Sequence, residues 1–87
     1  MRFYTAEING KEEILVSFWD GEWAHRLSRL AKLNKILSFK DMNDLIDNYT
    51  DEVKAALAAM ANNADVLEAA AVNINEVKLL ASIDLSK

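Results

Sequence analysis

The chain has 87 residues, no cysteine, no proline and a net charge of −4 at pH 7. This length corresponds to one small domain, and the absence of cysteine excludes a disulfide framework or a thiolate metal site. The ten basic residues are scattered, with only a loose group at Arg26, Arg29, Lys32 and Lys35. Because phosphate contacts require clustered positive charge, this pattern argues against nucleic-acid and anionic-membrane partners. No apolar run approaches the length of a membrane span, so we expect a cytoplasmic protein.

Residues 2–27 predict a three-stranded antiparallel meander with two tight turns. Asn9-Gly10 and Asp20-Gly21 are typical of two-residue hairpin loops, in which both turn positions favour residues that tolerate positive φ. A two-residue loop also fixes the strand register. The register derived in this way has four diagnostic pairs: Phe3 with Val16, Thr5 with Ile14, Ile14 with Leu27, and Phe18 with Trp23.

This register gives the predicted sheet two different faces. The first is apolar and is expected to receive the helices, and it carries Phe3, Ile14, Val16, Phe18, Trp23 and Leu27. The second is half apolar, and it carries Tyr4, Ala6, Ile8, Leu15, Trp19 and Ala24. Two interpretations of the second face remain open. Either the C-terminal end of the chain covers it, or Tyr4, Leu15 and Trp19 lie close together and form an interface for a partner.

Residues 29–71 predict three or four short helices packed on the sheet. The expected N-terminal caps are Ser28, Ser38 (in a capping box with Asp41), Thr50 and Asp65. The helix after Ser28 is expected to carry Leu30, Leu33 and Leu37 inward. Residues 76–83 predict a final extended segment because alternate positions are apolar. The expected fold is therefore α+β, in a single domain spanning residues 1–87.

No group of residues in the sequence predicts catalysis, cofactor binding or metal binding. His25 is the single histidine, and the register places it on the apolar face near Val16 without a catalytic partner. Asp41, Asp44 and Asp47 share one helical face, but they lack the glycine and bidentate glutamate of a calcium loop. We interpret them as a solvated acidic face.

Several segments in combination resemble the N-terminal domain of the fumarylacetoacetate hydrolase family. They are the opening stretch Met1–Gly10, the Asp20-Gly21 turn, the helical middle, and Glu-Val-Lys-Leu-Leu-Ala-Ser-Ile at residues 76–83. In the segment that corresponds to residues 76–83, that family commonly has the sequence Glu-Val-(Arg/Lys)-Leu-Leu-Ala-Pro-Ile-Pro. Ser82 and Asp84 stand where the family has its two prolines.

The resemblance implies that the chain is the non-catalytic N-terminal domain of a longer enzyme, and that the chain alone is not an enzyme. The parent would be a metal-dependent hydrolase, isomerase or decarboxylase of dicarbonyl or 2-oxo acid compounds. Its Mg²⁺ or other divalent cation would lie in a catalytic domain outside these 87 residues. The implied partners are that C-terminal catalytic domain and a second copy in a homo-oligomer such as a dimer. The alternative is a free-standing interaction module that binds through Tyr4, Leu15 and Trp19.

Overall fold

A computed structural model describes residues 1–19 and 21–85, and this part of the chain folds into one antiparallel sheet and four short α-helices. The strands are β1 (Arg2–Ile8), β2 (Lys11–Ser17), β3 (Trp23–Arg26), β4 (Ala71–Asn73) and β5 (Lys78–Asp84). The helices are α1 (Leu27–Ala31), α2 (Met42–Asp47), α3 (Asp51–Ala61) and α4 (Ala64–Ala70), and 3-10 turns form at Lys35–Leu37 and Ile74–Glu76. The predicted α+β class is confirmed.

The first hairpin has the turn and register predicted from Asn9-Gly10. Asn9 has φ 53° and Gly10 has φ 78°, so both lie in the left-handed region that this turn requires. Phe3 pairs with Val16, which confirms the derived register of β1 and β2.

The second pairing keeps the predicted offset but is shorter than expected. Leu15 pairs with Arg26 and Val16 with His25. The predicted outer pairs, Ile14 with Leu27 and Phe18 with Trp23, are not part of the ladder, because β3 ends where α1 begins and β2 ends at Ser17. Asp20, in the predicted second turn, lies outside the described residues.

The sheet has five strands in the order β4-β3-β2-β1-β5, whereas the sequence predicted a meander of three. The predicted final extended segment is β5, which pairs antiparallel with β1. The short strand β4 was not predicted. As a result, β1 lies inside the sheet, and β4 and β5 form its two edges.

The main hydrophobic core lies between the predicted apolar face and the helices. It contains Phe3, Val16, Leu27, Leu30, Leu37, Leu45, Val53, Leu57 and Ala70. Ile14 and Phe18 are half-buried against it. The prediction for Trp23 was wrong, because its side chain is 55% exposed. Trp23 pairs with Asn73 of the three-residue strand β4 near the sheet edge, beyond the cover of the core.

The N-terminal caps agree with the sequence at one helix and differ at the others. Thr50 caps α3 as predicted. Asp41 caps α2 in place of Ser38, and Asn63 caps α4 in place of Asp65. In both corrected cases the cap is an Asp or Asn side chain directly before the first helical residue, the position from which an oxygen reaches the free N–H groups.

The first helix is shorter than predicted, and Ser28 does not cap it. The Ser28 hydroxyl donates instead to Glu13 Oε1 at 3.0 Å, and α1 begins one residue earlier, at Leu27. Because α1 ends at Ala31, Leu33 is not held on its inner face and is 61% exposed.

We expect Val16→Asp to unfold the domain. Val16 is fully buried in the main core, and an unpaired buried carboxylate costs about 3–5 kcal/mol out of the roughly 5–15 kcal/mol of a typical domain. The measurement is the free energy of unfolding in urea. Glu12→Gln is the matched control on the same strand, since Glu12 is exposed and lies opposite Glu7. Equal stability of the two variants would contradict the assignment of the faces.

Candidate functional site

The second face of the sheet is covered by a short segment that we call the strap, residues 74–77. The strap joins β4 at one edge of the sheet to β5 at the other. Its apolar side chains Ile74 and Val77 pack on a second small core of Ala6, Leu15 and Ala24, all of which are fully buried. Of the two interpretations left open by the sequence, cover by the C-terminal end of the chain is therefore confirmed at the centre of this face.

The strap explains the small side chains beneath it. In a flat sheet, edge strands four spacings apart are separated by about 19 Å, whereas five peptide units reach at most about 18 Å. The sheet therefore has to curl toward the strap, which must pass close to the backbone. Ala6 and Ala24 leave room for this close passage. The strap is also tied to the end of β3, because the Ile74 N–H donates to the Glu22 carbonyl at 2.8 Å.

The structure brings together two of the three residues of the predicted interface. Tyr4 and Leu15 are paired neighbours on the strap side. Leu15, however, is fully buried and offers no surface to a partner. Trp19 is 60% exposed, and its ring centroid lies 6.5 Å from that of His25, a residue that shares the helical face with Val16. These three side chains therefore do not form one exposed patch.

The outer edge of β5 is the most apolar open edge of the sheet. Leu79 is 41% exposed and Leu80 is 45% exposed. The register shifts between Thr5, which pairs with Ala81, and Ala6, which pairs with Leu79. Leu80 is therefore the extra residue of a β-bulge. Bulges on edge strands disfavour further strand addition, so this edge is better suited to side-chain packing than to extension of the sheet.

A cleft of about 440 Å³ lies where β2 continues beyond the end of β3. Its walls come from β2, α1 and residues 37–43. At its side, the Glu13 carboxylate accepts hydrogen bonds from Arg26 Nη2 at 2.6 Å and from Arg26 Nε at 3.2 Å, in addition to the bond from Ser28. The Arg26 bonds lower the pKa of Glu13, and the same contact raises the pKa of Arg26. Glu13 therefore stays ionised and fixes β2 to the start of α1, a role that leaves it poorly placed to accept a proton from a ligand.

His25 occupies the position predicted from the sequence. Its side chain is buried on the helical face, and its ring centroid lies 5.6 Å from that of Phe18. Nδ1 has no hydrogen-bond partner among the described residues. Burial lowers the pKa of His25, so the ring is neutral at pH 7. A buried neutral imidazole among aromatic rings stabilises by packing, and no carboxylate of residues 1–19 or 21–85 is bonded to it to orient it for catalysis.

The aspartates on α2 serve local structure. Asp41 accepts the N–H of Asp44 at 2.9 Å, and Asp44 in turn accepts the N–H of Lys40 at 2.9 Å. Across residues 1–19 and 21–85, no group of three or more acidic, histidine or cysteine side chains is arranged to hold a metal ion. Within the same ranges, none of the helices combines the length and apolar character needed to span a bilayer.

Comparison with known proteins adds no assignment. No family model, no curated protein and no solved structure matches the chain.

We expect the stability of the domain to fall as the pH drops below about 6.5, the ordinary pKa of histidine. The pKa of His25 is lower in the folded state, so the unfolded chain takes up its proton first and gains stability relative to the fold. The free energy of unfolding continues to fall until the pH passes the lower pKa that His25 has in the folded state. Below that pH, His25 causes no further change in stability. The measurement is the urea unfolding free energy between about pH 7.5 and pH 5.

The control for this pH dependence is His25→Phe, which keeps an aromatic ring and removes the titrating group. Its unfolding free energy should be flat over the part of this range above the carboxylate pKa values. A wild-type curve that is equally flat would contradict the neutral, buried state of His25.

Proposed function

We propose that this chain is a non-catalytic domain that packs against a larger catalytic domain, as the N-terminal domain of the fumarylacetoacetate hydrolase family does. Support comes from the positions of two of the stretches that carry the resemblance, which lie at opposite ends of the sequence. They form the neighbouring strands β1 and β5, with Phe3 paired to Ile83 and Thr5 to Ala81. These two stretches are therefore neighbours in one part of the sheet.

The observation that carries the proposal is the apolar edge at β5. Leu79 and Leu80 are consecutive, and each exposes more than two fifths of its surface. Contiguous exposed apolar side chains at a sheet edge are typical of a surface that another polypeptide covers. Since the bulge disfavours strand addition, the catalytic domain would contact this edge through side chains.

The proposed parent is a cytoplasmic metal-dependent hydrolase, isomerase or decarboxylase of dicarbonyl or 2-oxo acid compounds. Its divalent cation, Mg²⁺ in most such enzymes, would be held by carboxylates of the catalytic domain. The present chain would supply no catalytic residue. Its contribution would be to shape the surroundings of the active site, or the dimer, through the contact at β5.

A second candidate function is a free-standing interaction module. It follows from the two tryptophans at the ends of β2 and β3, since Trp19 is 60% and Trp23 is 55% exposed. Exposed tryptophans are enriched at the centres of protein interfaces. In this candidate Trp19 would remain from the interface predicted from the sequence, and Trp23 would join it, whereas Tyr4 and the buried Leu15 lie on the strap side.

The proposed domain role is tested first by the coding sequence that follows codon 87. The proposal predicts an open reading frame that encodes a glycine-rich strand followed by spaced carboxylates. A stop codon directly after Lys87 would contradict it.

The contact itself is tested by titrating the 87-residue chain with the downstream domain in a calorimeter. Replacing both Leu79 and Leu80 with Lys should weaken binding by about tenfold or more, since each loses apolar contact area. The double change Ala58→Lys with Ala59→Lys is the matched control, because both alanines are apolar, consecutive and exposed but lie on α3 in the helical layer. Equal weakening by both changes would place the contact elsewhere.

A further inference from the structure

Charge is segregated into two consecutive blocks of the sequence, which run from β3 into α3. The first, which we call the basic segment, spans residues 23–40 and has no acidic residue; its charges are Arg26, Arg29, Lys32, Lys35 and Lys40. The second, the acidic segment, spans residues 41–53 and has no basic residue; its charges are Asp41, Asp44, Asp47, Asp51 and Glu52. Five positive charges are therefore followed directly by five negative charges.

Both segments lie on the same side of the molecule. The basic segment packs inward through Leu30 and Leu37, and the acidic segment through Leu45 and Val53, all in the main core beneath one face of the sheet. Apart from Arg26, which belongs to β3, their charged side chains are therefore on the outer surface of the helical layer, and most of them are exposed.

The two segments do not neutralise each other within one molecule. Arg26 is paired with Glu13 of the sheet. Within the described part of the chain, no carboxylate lies within 4 Å of Arg29, Lys32, Lys35 or Lys40. Four cations of the basic segment are thus available to an external anionic partner.

Exposed apolar side chains accompany these charges. Leu33 is 61% exposed and Ile36 is 36% exposed in the basic segment, and Ile46 is 40% exposed in the acidic segment. Leu33 and Ile36 flank the start of the 3-10 turn after α1. A surface that combines apolar side chains with unpaired charges has the composition of a protein interface with a charged rim.

We propose that this surface joins two copies of the chain in a two-fold dimer. The basic segment of each copy contacts the acidic segment of the other, with Leu33, Ile36 and Ile46 in the contact. A two-fold interface uses the same surface on both partners, so the surface must be complementary to itself. Adjacent blocks of opposite charge, four free cations beside five anions, meet that requirement. This inference goes beyond the proposed domain role and does not depend on it.

A second copy fits this surface better than an anionic membrane does. A membrane would attract the basic segment but repel the acidic segment beside it, and the whole chain is itself anionic at −4. In the dimer both segments are neutralised at once.

The first test is sedimentation equilibrium of the 87-residue chain at two ionic strengths. We expect a dimer whose Kd rises about tenfold or more between about 50 mM and about 500 mM NaCl, because salt screens charges at exposed contacts. A wild-type chain that stays monomeric at low salt up to millimolar concentration would overturn the proposal.

The second test reverses charge on each segment separately. One variant combines Lys32→Glu with Lys35→Glu, and the other combines Asp47→Lys with Glu52→Lys. Each variant alone should be monomeric, and an equal mixture should form a heterodimer, because every contact then joins opposite charges again. A mixture that stays monomeric, with both variants folded by circular dichroism, would overturn the proposal.

A matched control separates the specific contact from net charge. Lys11→Glu with Lys78→Glu makes the same change in net charge on the sheet, and it should leave the dimer intact. Vesicles of phosphatidylserine provide the remaining comparison. Binding of a monomeric wild-type chain to them, lost in the Lys32→Glu and Lys35→Glu variant, would assign the surface to lipid and overturn the dimer.

Discussion

The architecture depends on a link of only a few residues that crosses the sheet from one edge to the other. Because β4 and β5 are four strand spacings apart, the strap at residues 74–77 can join them only if the sheet curls and the strap lies close to its backbone. The closely packed positions beneath it are Ala6 and Ala24, whose side chains are the smallest that still bury apolar surface. The strap thereby turns a half-apolar face into a second core and places β5 beside β1.

Because the strap covers the centre of the second face of the sheet, it determines which surfaces remain open to other polypeptides. One face of the sheet is covered by the helices and the centre of the other by the strap, so contact with other polypeptides is left to the edges and to the outside of the helical layer. The edge at β5 offers Leu79 and Leu80, and the helical layer offers two blocks of opposite charge. Two of the titratable groups with shifted pKa values have structural roles: Glu13 fixes β2 to α1, and His25 packs among aromatic rings.

The features predicted best from the sequence are those that residues close together in the chain control: a tight turn, a strand register and a helix cap. Asn9-Gly10 specifies a tight turn, and the turn fixes the register of β1 and β2, so Phe3 and Val16 were placed on the correct face. Thr50 was recognised because a threonine before two acidic residues is a strong helix start. These features depend on residues close together in the chain, where the competing conformations are few.

Features set by distant parts of the chain were missed or displaced. For Leu15 the sequence left burial and a partner interface both open, because nothing in the local pattern shows that Ile74 and Val77 cross above it. Trp23 was assigned to the core because the alternation of side chains along a strand predicts which face a residue is on. It does not predict how far the helices extend over that face. The pair Ala6 and Ala24 on one face, on the two strands that flank β2, was the available signal that another segment passes close by. The interface residues Tyr4 and Trp19 could not be tested by register alone, since their use depends on a partner.

The most direct measurement of the central claim compares two Ala→Leu substitutions by their effect on the free energy of unfolding. Ala24 is fully buried beneath the strap, whereas Ala58 is exposed on α3. If the strap passes close to the sheet as described, Ala24→Leu should cost about 1–3 kcal/mol by overpacking, and Ala58→Leu should be near neutral. Equal and small effects at both positions would contradict the account.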